Sequence, residues 1–168
     1  MLRLTDRPHG KHLLRWLAIA LLLAPATRLQ SREIVIRDNN SRAAIGHLST
    51  IQAGRYEFIP LSAFAEAIKI PSAINSSRKQ FILQTPHNPV VVHAINPFVR
   101  VGNEWRQMPI AALILDGEYY APAVYFLEII QDALPFRLEY LSGEATILIT
   151  RSHMGVGGIQ IDDMQNGT

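Results

Sequence analysis

Two glutamates occupy matched positions in this chain and are the first candidates for chemistry. Glu66 and Glu128 lie at equivalent places in two similar segments, and a pair of carboxyl groups can act as general acid and general base in hydrolysis. At about 100° per residue, Glu66 lies about 140° around its predicted helix from Leu61, away from the apolar face. Glu128 has the same relation to Ala123. Both acids are therefore predicted to face solvent, and neither is predicted to be catalytic.

The other residue types that carry chemistry show no recognisable spacing. His47, His87, His93 and His153 are scattered and lack the close spacing of metal ligands. The chain has no cysteine, which excludes thiol nucleophiles, Cys-ligated zinc and disulfides. No G-x-S-x-G motif occurs, and the glycine-rich stretch 155–158 lacks the lysine of a phosphate-binding loop. The sequence predicts no catalytic residue, no metal site and no cofactor.

Aromatic side chains are the remaining candidates for binding. Amphipathic rings suit wet interfaces and can stack on sugar rings. Six aromatic residues could stack in this way: Tyr56, Trp105, Tyr119, Tyr120, Tyr125 and Tyr140. The candidates selected for facing a glycan are Tyr56, Trp105, Tyr119 and Tyr120. Tyr56 and Tyr119 occupy similar places in two predicted hairpins, where tyrosines commonly pack across strands. A glycan-binding surface and simple sheet packing both remain open from the sequence.

One segment of the chain occurs twice, around two prolines. Four residue types recur at a constant offset (128 − 66 = 62), which we call the repeat offset: Pro60 and Pro122, Phe64 and Phe126, Glu66 and Glu128, and Ile68 and Ile130. A turn that contains glycine precedes each copy, at Gly54 and at Gly117. The repetition predicts a duplicated structural unit.

Each copy is predicted to fold as hairpin, helix, hairpin. Pro60 and Pro122 are predicted to open the helices at the first helical position, where the missing N–H has no partner to lose. Apolar residues follow at i, i+3, i+4 and i+7, which predicts one buried face on each helix: Leu61, Phe64, Ala65 and Ile68, then Ala123, Phe126, Leu127 and Ile130. Residues 43–53 are predicted to form a hairpin that leads into Gly54.

The predicted fold class is α+β. Strands that are near one another in sequence favour mostly antiparallel sheets. A half of about 60 residues buries too little apolar surface to be secure alone. We therefore expect two related hairpin–helix–hairpin units that share one core.

The segment 1–26 is predicted to be a signal peptide. Four cations precede the apolar run 16–23, and small residues follow at Ala24 and Ala26. This segment carries four positive charges and one negative charge, so its removal lowers the net charge from +2 to −1 (2 − 3 = −1). The remaining chain has no basic stripe for nucleic acid and no second apolar run long enough to span a membrane. We expect an exported protein, periplasmic or extracellular.

Residues 32–150 resemble the copper amine oxidase-like N-terminal domain, also called the stalk domain. The resemblance is carried by three stretches, which are Gly54–Leu61, Phe98–Asn103 and Gly117–Pro122. The chain has Ala121-Pro122-Ala123 where the family usually has Val-Pro-Leu. The family's domain is a non-catalytic module that does not house the copper, and it often precedes bacterial cell-wall amidases.

Residues 151–168 are predicted to be a linker followed by the start of another domain. The glycine-rich stretch gives way to Ile159–Asp162, which alternates like a strand, and Asn166-Gly167 is a turn signal. This short stretch resembles the opening of an AMIN-type β-domain, here truncated.

The resemblance implies a stalk or binding module of the bacterial envelope. It would form the N-terminal part of an N-acetylmuramoyl-L-alanine amidase and hold a downstream catalytic domain near peptidoglycan or other envelope glycans. One alternative is that the chain is part of a zinc-dependent amidase whose catalytic domain lies outside it. Another is a freestanding structural protein that associates with itself.

Overall fold

The computed structural model describes residues 30–151. The predicted signal peptide, residues 1–26, and almost all of the predicted linker and AMIN-like segment, residues 152–168, lie outside the described residues. No helix in the described part of the chain is long and apolar enough to cross a membrane.

The described chain is α+β, as the sequence predicted, and most of its regular structure is in strands. The strands are β1 (Gln30–Asp38), β2 (Ala44–Ala53), β3 (Tyr56–Pro60), β4 (Ser72–Asn75), β5 (Gln80–Leu83), β6 (Val90–His93), β7 (Phe98–Val101), β8 (Glu104–Gln107), β9 (Leu113–Leu115), β10 (Glu118–Pro122), β11 (Arg137–Leu141) and β12 (Thr146–Thr150). The helices are α1 (Leu61–Ile68) and α2 (Ala123–Ile130), and short 3-10 turns lie at Gln131–Ala133 and Ser142–Glu144.

The strands form two sheets. Sheet A has seven strands in the order β11-β12-β1-β2-β3-β10-β9, and sheet B is a five-stranded meander in the order β4-β5-β6-β7-β8. Neighbouring strands are antiparallel except for β1 and β12, which pair in parallel and join the two ends of the described chain. The prediction of mostly antiparallel sheets is confirmed.

The hairpins before the two helices have corresponding registers. In the β2–β3 hairpin Ile51 pairs with Phe58, and in the β9–β10 hairpin Leu113 pairs with Tyr120. Each residue of the second pair lies one repeat offset after the corresponding residue of the first pair. Both loops have two residues and use positive φ. Gly54 has φ of 61°, while Asp116 and Gly117 have φ of 51° and 85°, backbone conformations that suit tight hairpins.

Strands β3 and β10 pair with each other at the centre of this arrangement. Ile59 lies opposite Ala121, and these two residues are separated in sequence by the repeat offset. Pro60 lies opposite Tyr120. The pairing is therefore symmetric about the Ile59–Ala121 pair. Each helix leaves from one of these strands and contacts the other strand as well, α1 on β10 and α2 on β3.

The prolines act one position earlier than predicted. Pro60 and Pro122 are the last residues of their strands and the N-cap residues of the helices, with ψ of 123° and 115°, so the first helical residues are Leu61 and Ala123. A proline in an extended conformation ends strand pairing, since it has no N–H to donate. The residue after α1, Lys69, has a φ of 60°, which lets the Ile70 N–H donate to the Ala65 oxygen at 3.0 Å. This is a Schellman-type ending of the helix.

The predicted apolar faces of both helices are buried in one core. Leu61, Phe64, Ala65 and Ile68 are at most 2% exposed, and the four predicted residues of α2 are at most 4% exposed. The rings of Phe64 and Phe126 meet edge to face with centroids 6.1 Å apart, so two repeat-related residues touch. Sheet B closes the same core, where Phe81 lies 6.2 Å from Tyr119 between ring centroids.

Two expectations about the hairpins need correction. Residues 43–53 do not form a hairpin, because β2 is one strand of ten residues that pairs along most of its length with β1. The hairpins after the two helices also differ, since β4–β5 belongs to sheet B whereas β11–β12 belongs to sheet A. Two complete, related hairpin–helix–hairpin units are therefore not confirmed, and the matching strand registers are limited to the hairpin before each helix.

Gly46 provides a test of how closely α1 packs on sheet A. A Cβ atom at Gly46 would lie 2.5 Å from the Cβ of Ala67, which is inside van der Waals contact. We predict that Gly46→Ala lowers the free energy of unfolding by about 1–3 kcal/mol, because the helix or the strand must shift.

Urea denaturation would measure this change, with Gly143→Ala as the control. A Cβ at Gly143 meets no atom within 4 Å, so that variant should change stability little. Equal effects of the two substitutions would contradict the close helix–strand packing.

Candidate functional site

An open cleft lies where the turn of the β2–β3 hairpin meets the start of α2. Arg55, Tyr56 and Glu57 form one side, and residues 122–125 form the other. The cleft holds about 320 Å³, near the lower end of the range for small-molecule sites. Sheet pairing between β3 and β10 places these two segments together. We call this site the aromatic cleft.

Two tyrosines and an arginine give the aromatic cleft its chemistry. The rings of Tyr56 and Tyr125 meet edge to face with centroids 6.2 Å apart. The guanidinium of Arg55 lies 5.0 Å from the Tyr56 ring centroid and donates to the Tyr56 hydroxyl at 2.8 Å. This hydrogen bond raises the pKa of Arg55. The cleft therefore offers ring faces beside a fixed cation.

A hydrogen-bonded carboxylate borders the same cleft. The Thr50 hydroxyl lies 2.9 Å from one oxygen of Glu57 and 2.8 Å from the Arg32 carbonyl oxygen, and the Tyr140 hydroxyl donates to the other oxygen of Glu57. Burial raises the pKa of Tyr140 well above its ordinary value, and the hydrogen bond to Glu57 adds to the effect. Tyr140 thus stays protonated and holds Glu57 in place.

The Tyr140–Glu57 hydrogen bond also shows that sheet A is strongly curved. Tyr140 belongs to β11 and Glu57 to β3, and β12, β1 and β2 lie between them. In a flat sheet these strands would be about 19 Å apart, at roughly 4.8 Å per strand. The sheet must curl until the two side chains meet.

A second cleft adjoins the aromatic cleft along α2. It holds about 420 Å³ and is lined by residues of α2, β11 and the intervening turn, including Val124, Glu128, Asp132 and Tyr140. Val124 borders both clefts. Glu128 is exposed here and Glu66 is exposed on α1, so both matched acids face solvent as the helical geometry predicted.

The four aromatic residues predicted to face a glycan do not lie together. Tyr56 lines the aromatic cleft. Tyr119 is 3% exposed and packs on Phe81 in the core, so its proposed place on a binding surface is wrong. Tyr120 is the next residue on β10 and points to the opposite face of sheet A, half-buried, because side chains alternate along a strand.

Trp105 lies on a separate surface, the outer face of sheet B. Its side chain is 56% exposed, and its ring centroid is 5.4 Å from that of His93. Arg100 lies directly opposite it on β7, and the exposed Phe98 belongs to the same strand. This surface is a second place where a planar ligand could stack.

The sequence analysis named Tyr125 among the aromatic residues that could stack but did not select it as a candidate, although the repeat contained a signal for it. At the repeat offset, Tyr125 corresponds to Ala63, and Tyr56 corresponds to Glu118. At the start of α1, Glu118 accepts a hydrogen bond from the Ser62 N–H at 3.0 Å and covers the helix end. The corresponding place at the start of α2 has Tyr56 and Tyr125 instead, and the aromatic cleft opens there. Positions where the copies differ thus identify the site.

Two other kinds of functional site, a metal site and an acyl-transfer site, were considered besides the aromatic cleft. Within residues 30–151, no group of three His, Asp or Glu side chains could hold a metal ion. Ser76 and Lys79 have the S-x-x-K spacing of acyl-transfer enzymes, but both are exposed in the β4–β5 turn. Neither belongs to the clefts described above.

Comparison with known proteins gives no match to this chain. No family model, no curated protein and no solved structure matches it. Function must therefore be inferred from the site itself and from the resemblance in sequence.

Tyr140 gives a prediction about the carboxylate that borders the aromatic cleft. We predict that Tyr140→Phe lowers the free energy of unfolding by about 1–3 kcal/mol at pH 7, because it leaves an oxygen of Glu57 without its donor. The folded state raises the pKa of Tyr140, so its contribution is present below the pKa of an unfolded tyrosine, about 10, and is lost as the pH rises above that.

Urea denaturation at pH 7 and pH 11 would measure both effects. The stability difference between wild type and Tyr140→Phe should shrink at the higher pH. Tyr125→Phe, which changes an exposed tyrosine, serves as the control. A difference that stays constant or grows with pH would contradict the role assigned to Tyr140.

Proposed function

We propose that this protein is an exported, non-catalytic stalk or binding module of the bacterial cell envelope. In this proposal the module forms the N-terminal part of a cell-wall amidase and holds a downstream domain near peptidoglycan. The resemblance to the stalk domain over residues 32–150 and the predicted signal peptide support it. The chain itself then contributes position and not catalysis.

We also propose that the scaffold consists of two related units that share one core. The common offset in both sequence and strand register supports a duplication, as does the symmetric pairing of β3 with β10. A shared core suits a spacer, because neither unit can tilt without breaking central contacts. Linking a binding module to an enzyme raises the enzyme's effective concentration at the bound surface.

The observation that carries the binding role is the aromatic cleft. The rings of Tyr56 and Tyr125 present apolar faces, while Arg55 and Glu57 supply a donor group and an acceptor group on either side of Tyr56. A sugar ring has apolar C–H faces and hydroxyl groups at its edge, so this combination matches a glycan. The network from Thr50 and Tyr140 holds Glu57 in one orientation before a ligand binds.

The alternative is that the chain belongs to a zinc-dependent amidase with its catalytic domain outside this sequence. Both interpretations give this chain the binding role, and in the alternative the whole protein acts as the zinc-dependent amidase, with its catalytic residues after Thr168. Zinc-ligand His and Glu residues in the gene beyond that point would establish the amidase.

Retention on purified, insoluble peptidoglycan tests the glycan-binding proposal. We predict that wild type sediments with peptidoglycan and that Tyr56→Ala combined with Tyr125→Ala reduces retention at least tenfold. The reason is that stacking on one aromatic side chain contributes about 1–3 kcal/mol in other binding platforms.

Trp105→Ala is the matched control, since it removes an exposed ring from the other surface. Retention should persist in this variant. Loss with Trp105→Ala alone would assign binding to sheet B, and absence of retention in wild type would leave only a spacer role. Circular dichroism would verify that each variant is folded.

A further inference from the structure

A third cleft shares no lining residue with the first two and has a different character. It holds about 440 Å³ and lies where the end of α1 meets the exit of β12. Its floor is formed by Ile70 and Phe136, which are 7% and 8% exposed. Pro71, Pro86 and Pro135 line it as well. Prolines present hydrocarbon rings and no N–H donors, so the interior of this cleft favours an apolar chain.

Two cationic side chains lie at the edge of this apolar cleft. Lys69 and Arg151 are both exposed and both line the cleft. The main chain of Lys69 is held by the Schellman-type ending of α1, and the Arg151 guanidinium lies 5.9 Å from the centroid of the Phe136 ring. The Lys69 side chain thus starts from a fixed backbone position, and the Arg151 guanidinium lies beside the apolar floor.

The described residues that line this cleft include no carboxylate. Asp38 is the acid whose charge interacts with Arg151, but hydrogen bonds from Ser41 are the main cause of its lowered pKa. Its carboxylate accepts from the Ser41 and Asn40 N–H groups at 2.8 and 3.0 Å within a turn, and it does not line the cleft. The edge therefore carries an excess of positive charge that a bound anion would balance.

We propose that this cleft binds a medium-chain fatty acid. The hydrocarbon chain lies on Ile70 and Phe136 between the prolines, and the carboxylate lies between Lys69 and Arg151. Each buried methylene raises the affinity about fourfold, and the two cations select an anionic head group over a neutral or a positive one. This site is separate from the aromatic cleft, so the proposal does not depend on glycan binding.

Titration calorimetry with three probes tests the proposal on the whole chain. Decanoate is the proposed type of ligand, decyltrimethylammonium has the same chain length with the opposite charge, and acetate has the charge without the chain. Decanoate and decyltrimethylammonium are used below the concentrations at which they form micelles. We expect decanoate to bind at least tenfold more tightly than either of the other two.

A charge-removing variant locates the site. Lys69→Asn combined with Arg151→Gln should weaken decanoate binding at least tenfold, and asparagine tolerates the left-handed backbone at position 69. Arg78→Gln combined with Lys79→Asn is the control, because it removes two exposed cations from the β4–β5 turn and should leave binding unchanged. Circular dichroism and retention on peptidoglycan report separately on folding and on the aromatic cleft.

Three results would overturn the proposal. Equal binding of decanoate and decyltrimethylammonium would show a non-selective apolar surface. Undiminished binding in the Lys69 and Arg151 variant would place the fatty acid elsewhere. Absence of decanoate binding to the folded chain would show that the cleft takes another occupant, such as the segment after Arg151.

Discussion

The pairing of β3 with β10 is the constraint on which the rest of the structure depends. Ile59 and Ala121 meet at its centre, and each strand continues through a proline into a helix. Because the two strands run antiparallel, α1 and α2 are brought together over the same core and Phe64 meets Phe126. Sheet A extends outwards from this pair on both sides, and Phe81 of sheet B packs on Tyr119 next to it.

The aromatic cleft is a local departure from that near-symmetric arrangement. One helix start is covered by Glu118, while the corresponding place beside α2 has Tyr56 and, on the helix, Tyr125. The curl of sheet A then brings Tyr140 to Glu57, which fixes a polar group beside the rings. The proposed binding role therefore rests on two aromatic residues that have no aromatic counterpart at the repeat offset and that a rigid scaffold holds in place.

Helix faces and tight turns could be predicted from the sequence, because residues close together in the chain determine them. The spacing of Leu61, Phe64 and Ile68 predicted the buried face of α1, and glycine at 54 and 117 predicted the two tight hairpins. The parallel pairing of β1 with β12 could not be predicted, since it joins the two ends of the described chain. The length of β2 was also missed, because it depends on pairing with residues 30–37 of β1, which the composition of β2 itself does not reveal.

The candidate site was predicted only in part, because it also depends on contacts between residues far apart in the sequence. Tyr56 was identified from its residue type, but the opposite fates of Tyr119 and Tyr120 depend on which face of β10 meets the core. A shift of one residue in register would exchange them. The partners Tyr125, Glu57 and Tyr140 come together through strand pairing and sheet curvature, which the order of residues along the chain does not reveal.

Native-state hydrogen exchange in a Phe126→Leu variant tests the shared core most directly. If the two units share one core, the amides of β3 and α1 should lose protection by the same factor as those of β10 and α2. This result would be informative because residue 126 belongs to α2 alone. Loss of protection confined to β10 and α2 would show that the two units are stabilised separately, which would contradict a shared core.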